Sequence, residues 1–321
     1  MRVSNNKMII NGNSPTYDII IPVEEKDVDF LPRVITYLDK YLSGFGNIYI
    51  LSHQRNFKKI KKLTEDNKYC IFLNENEVIR GIGIDMVRDL LRTKNPQYDY
   101  LAGWYFQQFL KLGFSLSPYC SEYYLSWDAD TLPLSSITFF EGKQILYNPK
   151  AEYHENYFKT INKLLGIGRI PEKSFISESM MFSSSVVREL IDKISSSAAE
   201  GDNWVEKIIR ACDFTESPQA FSEFETYGNY CAAMHPELYR QRHLNTFRHA
   251  GMISGRHISE KKLEKLSFDL DMVSFEFMEW PMFPYNIPDM ICYYKRLFRK
   301  LGRMPLDEAV RRLIAKCKRA H

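Results

Sequence analysis

Tyr123-Tyr124-Leu125-Ser126-Trp127-Asp128-Ala129-Asp130-Thr131-Leu132-Pro133 decides how this chain is read. An apolar run with the look of a buried strand stops at two carboxylates one residue apart and then at a proline. Side chains alternate along an extended chain, so Asp128 and Asp130 are expected to point the same way where the strand leaves its sheet. Two hard oxygen donors at such a place suit Mg²⁺ or Mn²⁺, ions that complete their shells with water and substrate phosphates. Aspartate pairs also occur in turns, where they bond the local backbone. The position after an apolar strand, roughly a third of the way along the chain, favours the metal.

Upstream, Tyr17-Asp18-Ile19-Ile20-Ile21-Pro22-Val23 reads as a first buried strand closed by proline. Val28, Leu31, Val34, Ile35, Leu38 and Leu42 then keep helical spacing until Gly44 and Gly46. Ile48–His53 and Tyr69–Leu73 are the next strands, and 83–93 and 99–112 the next helices. Strands alternating with helices predict an α/β fold with a mostly parallel central sheet. Ligands of such sheets bind beyond the carboxyl ends of the strands. That rule puts Pro22, Val23 and Glu24, His53 and Arg55, and the Asp pair on one rim. Gln107 and Gln108 interrupt the apolar stripe of the second helix. They either face solvent or reach a ligand with paired donors and acceptors. The glycine pairs Gly81/Gly83 and Gly166/Gly168 lack the strand context of a dinucleotide fingerprint.

Downstream, Ile137–Phe140 and Gln144–Tyr147 flank Glu141-Gly142-Lys143, a hairpin signal. Phe175–Phe182 leads into a helix from about 185 to 195. In Phe221-Ser222-Glu223-Phe224-Glu225-Thr226-Tyr227 acidic and aromatic residues alternate. The bland account is a solvated acidic turn. A carboxylate cluster placed after a metal motif is also what activation of an acceptor hydroxyl needs, so Glu223 and Glu225 are the candidate bases, with Asp202 or Glu178 next. In a strand the two would share a face, whereas in a helix they diverge by about 200°. Only one of them then faces the acceptor.

Composition is that of an ordinary globular protein: 321 residues, 45% hydrophobic and 26% charged. Six cysteines are scattered without C-x-x-C spacing, which argues against a zinc site or a disulfide framework. No apolar leader is apparent, and no run approaches the ~20 apolar residues of a membrane span. A cytoplasmic protein is expected, with no nucleic-acid partner. Residues 291–321 carry ten Lys/Arg against Asp307 and Glu308, so a basic tail follows a mildly acidic body. Ile291, Tyr294, Leu297, Phe298 and Leu301 fall on one helical face, and Leu306, Ala309, Val310, Leu313, Ile314 and Cys317 on another. Such helices either pack their apolar faces on the body or reach an anionic membrane surface, giving a peripheral place on the inner face of the cytoplasmic membrane.

Together, the strand ending in Pro22-Val23, the β/α alternation and Trp127-Asp128-Ala129-Asp130 resemble the GT-A-fold glycosyltransferases. Gly103-Trp104…Gln107-Gln108…Lys111-Leu112 with Ser222–Gly228 is similar to a bacterial branch associated with capsule and other surface-polysaccharide clusters. The resemblance covers roughly residues 17–260. It implies a catalytic domain over 1–260, with a donor half to about 135, an acceptor half over 136–260, and an extension over 261–321. It further implies transfer of a sugar from a nucleotide-sugar, UDP-linked in the first instance, to an oligosaccharide or lipid-linked glycan. Asp128 and Asp130 would hold Mn²⁺ or Mg²⁺ with a C-terminal histidine, for which His249 is the choice. Asp128 would also help through the donor's ribose. An inverting reaction is expected, with retention left open. Similar sequences tend to carry a histidine beside the glutamate of Ser177-Glu178, where this chain has Ser179. A sugar nucleotidyltransferase and a non-catalytic, membrane-associated binding protein are the rival classes.

Overall fold

In the computed structural model, residues 15–64, 67–277, 279–283 and 286–302 are described. Among them the strands are β1 (Tyr17–Pro22), β2 (Phe45–Ser52), β3 (Cys70–Asn74), β4 (Tyr123–Trp127), β5 (Thr131–Pro133), β6 (Phe140–Glu141), β7 (Gln144–Tyr147), β8 (Ser179–Ser183), β9 (Tyr239–Gln241), β10 (Thr246–Phe247) and β11 (Met272–Ser274). The central sheet has the order β3-β2-β1-β4-β8. Its first four strands run parallel, and β8 closes the edge antiparallel to β4. The expected α/β class with a mostly parallel sheet is what the chain forms.

Both faces of the sheet are covered, which is why β1 is a β-branched run rather than an alternation. Ile19, Ile20 and Ile21 are all fully buried. Ile19 and Ile21 join one apolar core with Val34, Ile35 and Leu38 of helix Leu31–Tyr41. Ile20 joins the other, with Phe106 and Phe109 of helix Ala102–Gly113 and Leu190 of helix Ser184–Ser195. Successive residues of one strand therefore feed opposite cores. Pro32 stands in the first helical turn, where its missing N–H costs nothing.

The chain leaves β1 towards β2 and β3 and returns on the opposite side as β4. The carboxyl ends of β1 and β4 thus form the crevice where strand order reverses. Two smaller sheets, β10-β11-β5 and β6-β7-β9, stand beyond it. The hairpin expected around Gly142 is β6–β7.

The carboxylate segment 222–234 is helical rather than a solvated turn. Ser222 Oγ accepts from Glu225 N–H at 3.2 Å and caps helix Glu223–Met234. A Cβ on Gly228 would lie 2.2 Å from the Phe175 ring, so this helix sits as close to Phe175 as glycine allows.

Sequence reading ended the catalytic part at 260, yet β11 pairs antiparallel with β5, Ser274 opposite Thr131. Phe275 N–H also bonds the Asp130 carbonyl at 2.9 Å. Residues 272–275 therefore brace the Asp pair directly. Helix Ile287–Leu301 is the first expected tail helix. Of its expected stripe, Ile291, Tyr294 and Phe298 are exposed and Leu297 is half-buried, while Asp289 is buried and Arg296 half-buried. The second expected tail helix lies outside the described residues.

Candidate active site

A cavity of about 470 Å³ opens at the carboxyl ends of β1 and β4. Pro22, Gln107, Gln108, Lys111, Asp128, Asp130, Glu178, Glu223 and Arg248 all line it. The backbone leaves the strand at Trp127 and turns at once: Thr131 N–H bonds the Asp128 carbonyl at 3.1 Å, and Trp127 Nε1–H bonds the Thr131 carbonyl at 2.9 Å. Asp128 and Asp130 share the cavity through this turn, not through the strand alternation expected of them.

Lys111 organises the floor. Its Nζ donates to Asp128 Oδ1 at 3.0 Å and to Glu223 Oε1 at 2.9 Å. It also lies 4.4 Å from the centre of the Phe224 ring. Burial works against its charge, but Asp128 and Glu223 outweigh it and raise the ammonium above its ordinary value. The Tyr124 hydroxyl ties the Lys111 carbonyl to β4 at 2.9 Å. Gln108 is not in solvent: its Oε1 accepts from Glu223 N–H at 3.2 Å, fixing the start of the 223–234 helix. Gln107 lines the cavity beside it.

The helix separates the two candidate bases. Glu223 faces the cavity, where the helix dipole also favours a carboxylate. Glu225 points into the protein, bonded to Ser174 Oγ and, at 3.0 Å, to Asn229 Nδ2. Burial raises the Glu225 carboxyl above its usual range.

Asp130 is crowded by like charge. Burial, then Asp27 and Asp128, push its carboxyl up to about 7, against the pull of Arg256 and Lys26. Such an excess of hard oxygen donors fits a divalent cation whose remaining ligands are water and phosphate. His249 is not brought to the pair. Its Nδ1 bonds Glu279 Oε1, its side chain is 60% exposed, and it does not line the cavity. Among the described residues no three His, Cys, Asp or Glu side chains gather closely enough to hold an ion. Arg248, one residue earlier, is the cavity residue; it bonds Glu152 at 2.7 Å.

The outer rim is looser. Val23 is buried and offers its carbonyl to Ser52 Oγ at 2.7 Å. His53 Nδ1 accepts from Arg55 N–H at 3.1 Å, capping a short turn, and Arg55 is exposed. Glu24 sits 3.9 Å from Lys26. None of Val23, Glu24, His53 and Arg55 lines the cavity, whereas Pro22 does.

Lys111 had a sequence signal: it follows Gln107 by four residues and Gln108 by three, on the same helical face. Glu178 is 2% exposed, with Oε1 bonded to Lys150 at 3.0 Å and a buried Oε2 that has no partner among the described residues.

Residues 14–257 match a family described as a family of unknown function, DUF6492. No curated protein matches the chain. Solved structures similar in chain course include apo mouse xyloside xylosyltransferase 1, at 13% identity and a TM-score of 0.42 over 81% of this chain and 97% of that one. The galactosyltransferase LgtC with donor and acceptor sugar analogues is similar at 10% identity and 0.39, over 80% and 86%. The bifunctional glycosyltransferase WbbM is similar at 11% and 0.41, over 82% of this chain and 46% of its own. Among the described residues no helix is long and apolar enough to cross a membrane.

Proposed function

The chain belongs to the DUF6492 family of unknown function, and we propose that it is a glycosyltransferase that moves a sugar from a nucleotide-sugar to a hydroxyl of a glycan or lipid-linked acceptor. The observation that carries this is Lys111, which joins an Asp-x-Asp carboxylate and a second carboxylate in one cavity at the switch point of an α/β sheet. Asp128 and Asp130 would hold Mn²⁺ or Mg²⁺, which when bound neutralises charge on the departing nucleoside diphosphate.

The protein's own groups supply the rest. Glu223 is the base for an inverting transfer: a sugar hydroxyl has a pKa far above 7, so its proton must be taken up as the new bond forms. Lys111 fixes Glu223 and Asp128 relative to each other, which holds the two ends of the reaction in register. Gln107 and Pro22 border the donor, and Arg248 brings positive charge to the opposite wall. Val23, Glu24, His53 and Arg55 would be outer contacts of the nucleotide. A place in bacterial surface-polysaccharide synthesis, on the cytoplasmic side of the membrane, is in keeping with a lipid-linked acceptor.

Product analysis tests the class. Incubation with Mn²⁺ and a panel of UDP-sugars should release UDP as the sugar passes to an acceptor hydroxyl or, without an acceptor, to water. Formation of UDP-sugar and pyrophosphate from UTP and a sugar 1-phosphate would instead identify a nucleotidyltransferase.

A further inference from the structure

Helix Ile287–Leu301 sits on the body with its polarity reversed. Ile287, Ile291, Tyr294 and Phe298 recur at helical spacing and share one face. That face is turned to solvent: the four side chains are 42%, 48%, 47% and 70% exposed. The inward face is mixed. Asp289 is buried against the Arg256 N–H, Tyr293 packs on Phe277 and Trp280, and the Arg296 guanidinium lies over the Phe277 ring. Neighbouring segments add to the outward apolar surface. A Cβ on Gly255 would lie 2.4 Å from Asp289 and 3.4 Å from Pro281, and one on Gly251 would lie 2.9 Å from Glu279. Helix Ala250–Ser254, residues 279–283 and helix Ile287–Leu301 therefore pack as one unit. On it Ile253 is 71%, Met282 85% and Phe283 76% exposed. Large apolar side chains gathered in this way mark a contact with a protein or a membrane.

Charge decides between the two. Asp289 is the only carboxylate of the helix and is buried, whereas Lys295 and Arg299 border the apolar stripe and are exposed. Arg296 is turned toward Glu25, Asp27 and Glu24 of the body and adds nothing outward. A second copy laid stripe to stripe would bring these cations together, which opposes pairing. An anionic surface meets both the apolar side chains and the cations. The sequence that follows, 303–321, carries six Lys/Arg against Asp307 and Glu308, so the excess of positive charge continues.

We infer that this unit is a membrane-docking surface, which lays the outward stripe of helix Ile287–Leu301 into the interface of an anionic lipid bilayer. A helix of 15 residues with four Lys/Arg is too short and too charged to span, and it lies in the interface plane with its apolar face inward. Glu276 and Phe277, which line the candidate active site, lead directly into residues 279–283. Docking therefore sets that cavity beside the bilayer. The inference does not depend on sugar transfer and is tested without it.

The test is sedimentation of the full chain, without donor or metal, with vesicles of phosphatidylcholine alone or mixed with phosphatidylglycerol. Binding is expected only to the mixed vesicles and should weaken as salt rises. Tyr294→Ser with Phe298→Ser should weaken it about tenfold or more by removing apolar area. Lys295→Gln with Arg299→Gln should weaken it by about tenfold or more through charge. All four positions are exposed, so both double variants should melt with wild type. Analytical ultracentrifugation without vesicles reads the rival occupant. A dimer that Tyr294→Ser with Phe298→Ser dissolves would assign the stripe to a second copy and overturn the inference. Equal binding to both vesicle types, binding to neither, or binding that both double variants retain in full overturns it as well.

Discussion

Lys111 and Glu223, more than a hundred residues apart in the chain, meet at 2.9 Å inside the cavity. The same ammonium reaches Asp128 at 3.0 Å, so one lysine on helix Ala102–Gly113 holds two candidate catalytic carboxylates from different elements. Removing one partner of a buried ionic group leaves uncompensated charge. Lys111→Met should therefore cost about 3–5 kcal/mol of stability. Chemical denaturation checks this, and a loss under about 1 kcal/mol would mean that water already screens the cluster.

The helical setting of residues 223 and 225 separates two variants that sequence could not rank. Glu223→Gln keeps an oxygen for Lys111 but cannot accept a proton, so transfer should fall by about 10²–10⁴-fold while donor binding persists. Glu225→Gln disturbs only the bonds to Ser174 and Asn229. It should lower stability and leave the rate per folded molecule close to wild type. Steady-state kinetics with a donor-binding assay gives both, and the reverse pattern would place the base on Glu225.

Gly228 offers a purely structural test. Its missing Cβ would lie 2.2 Å from the Phe175 ring, so Gly228→Ala must move helix Glu223–Met234 or the ring. A loss of about 1–3 kcal/mol is expected. Phe175→Leu in the same chain should return part of it by relieving the contact. Thermal melts of the single and double variants decide, and additive losses would rule out the contact as the cause.

Stability should also depend on pH through Glu75. Burial pushes its carboxyl up to about 7, with Arg55 opposing and Glu24 adding to the rise. The folded chain then holds a proton that the unfolded chain has already released. Between the ordinary carboxylate range and about pH 7, the Glu75 contribution to stability declines as pH rises, then levels off. Glu75→Gln should remove that decline, gaining stability at pH 8 and little at pH 4. Melts across pH that run parallel for wild type and variant would contradict it.

Much of this arrangement is legible in the sequence, for physical reasons. Strands buried on both faces must be continuous apolar runs, so β1, β2 and β4 stand out, and the switch-point rule then fixes where Asp128 and Asp130 sit. What escaped notice depends on single-residue direction or on distant pairing. Arg248 and His249 follow β10 where the chain turns into the helix Ala250–Ser254, and the direction of each side chain there is set by that turn, which spacing in the sequence does not show. Helix Glu223–Met234 is announced by its Ser222 cap, which the alternation of acidic and aromatic residues disguised. Strand β11 spans only Met272–Ser274, too short to show a period, and its place beside β5 exists only once the chain has folded.

The most direct test of glycosyl transfer at this cavity is donor turnover by wild type and Asp130→Asn, each with Mn²⁺ and with excess chelator. Asparagine keeps the size of the side chain and removes one of the crowded charges, so the variant should fold at least as stably as wild type. The account predicts nucleoside diphosphate release by wild type only with metal, and a fall of about 10²-fold or more in the variant. Equal turnover by both proteins, or full wild-type turnover in chelator, would contradict it.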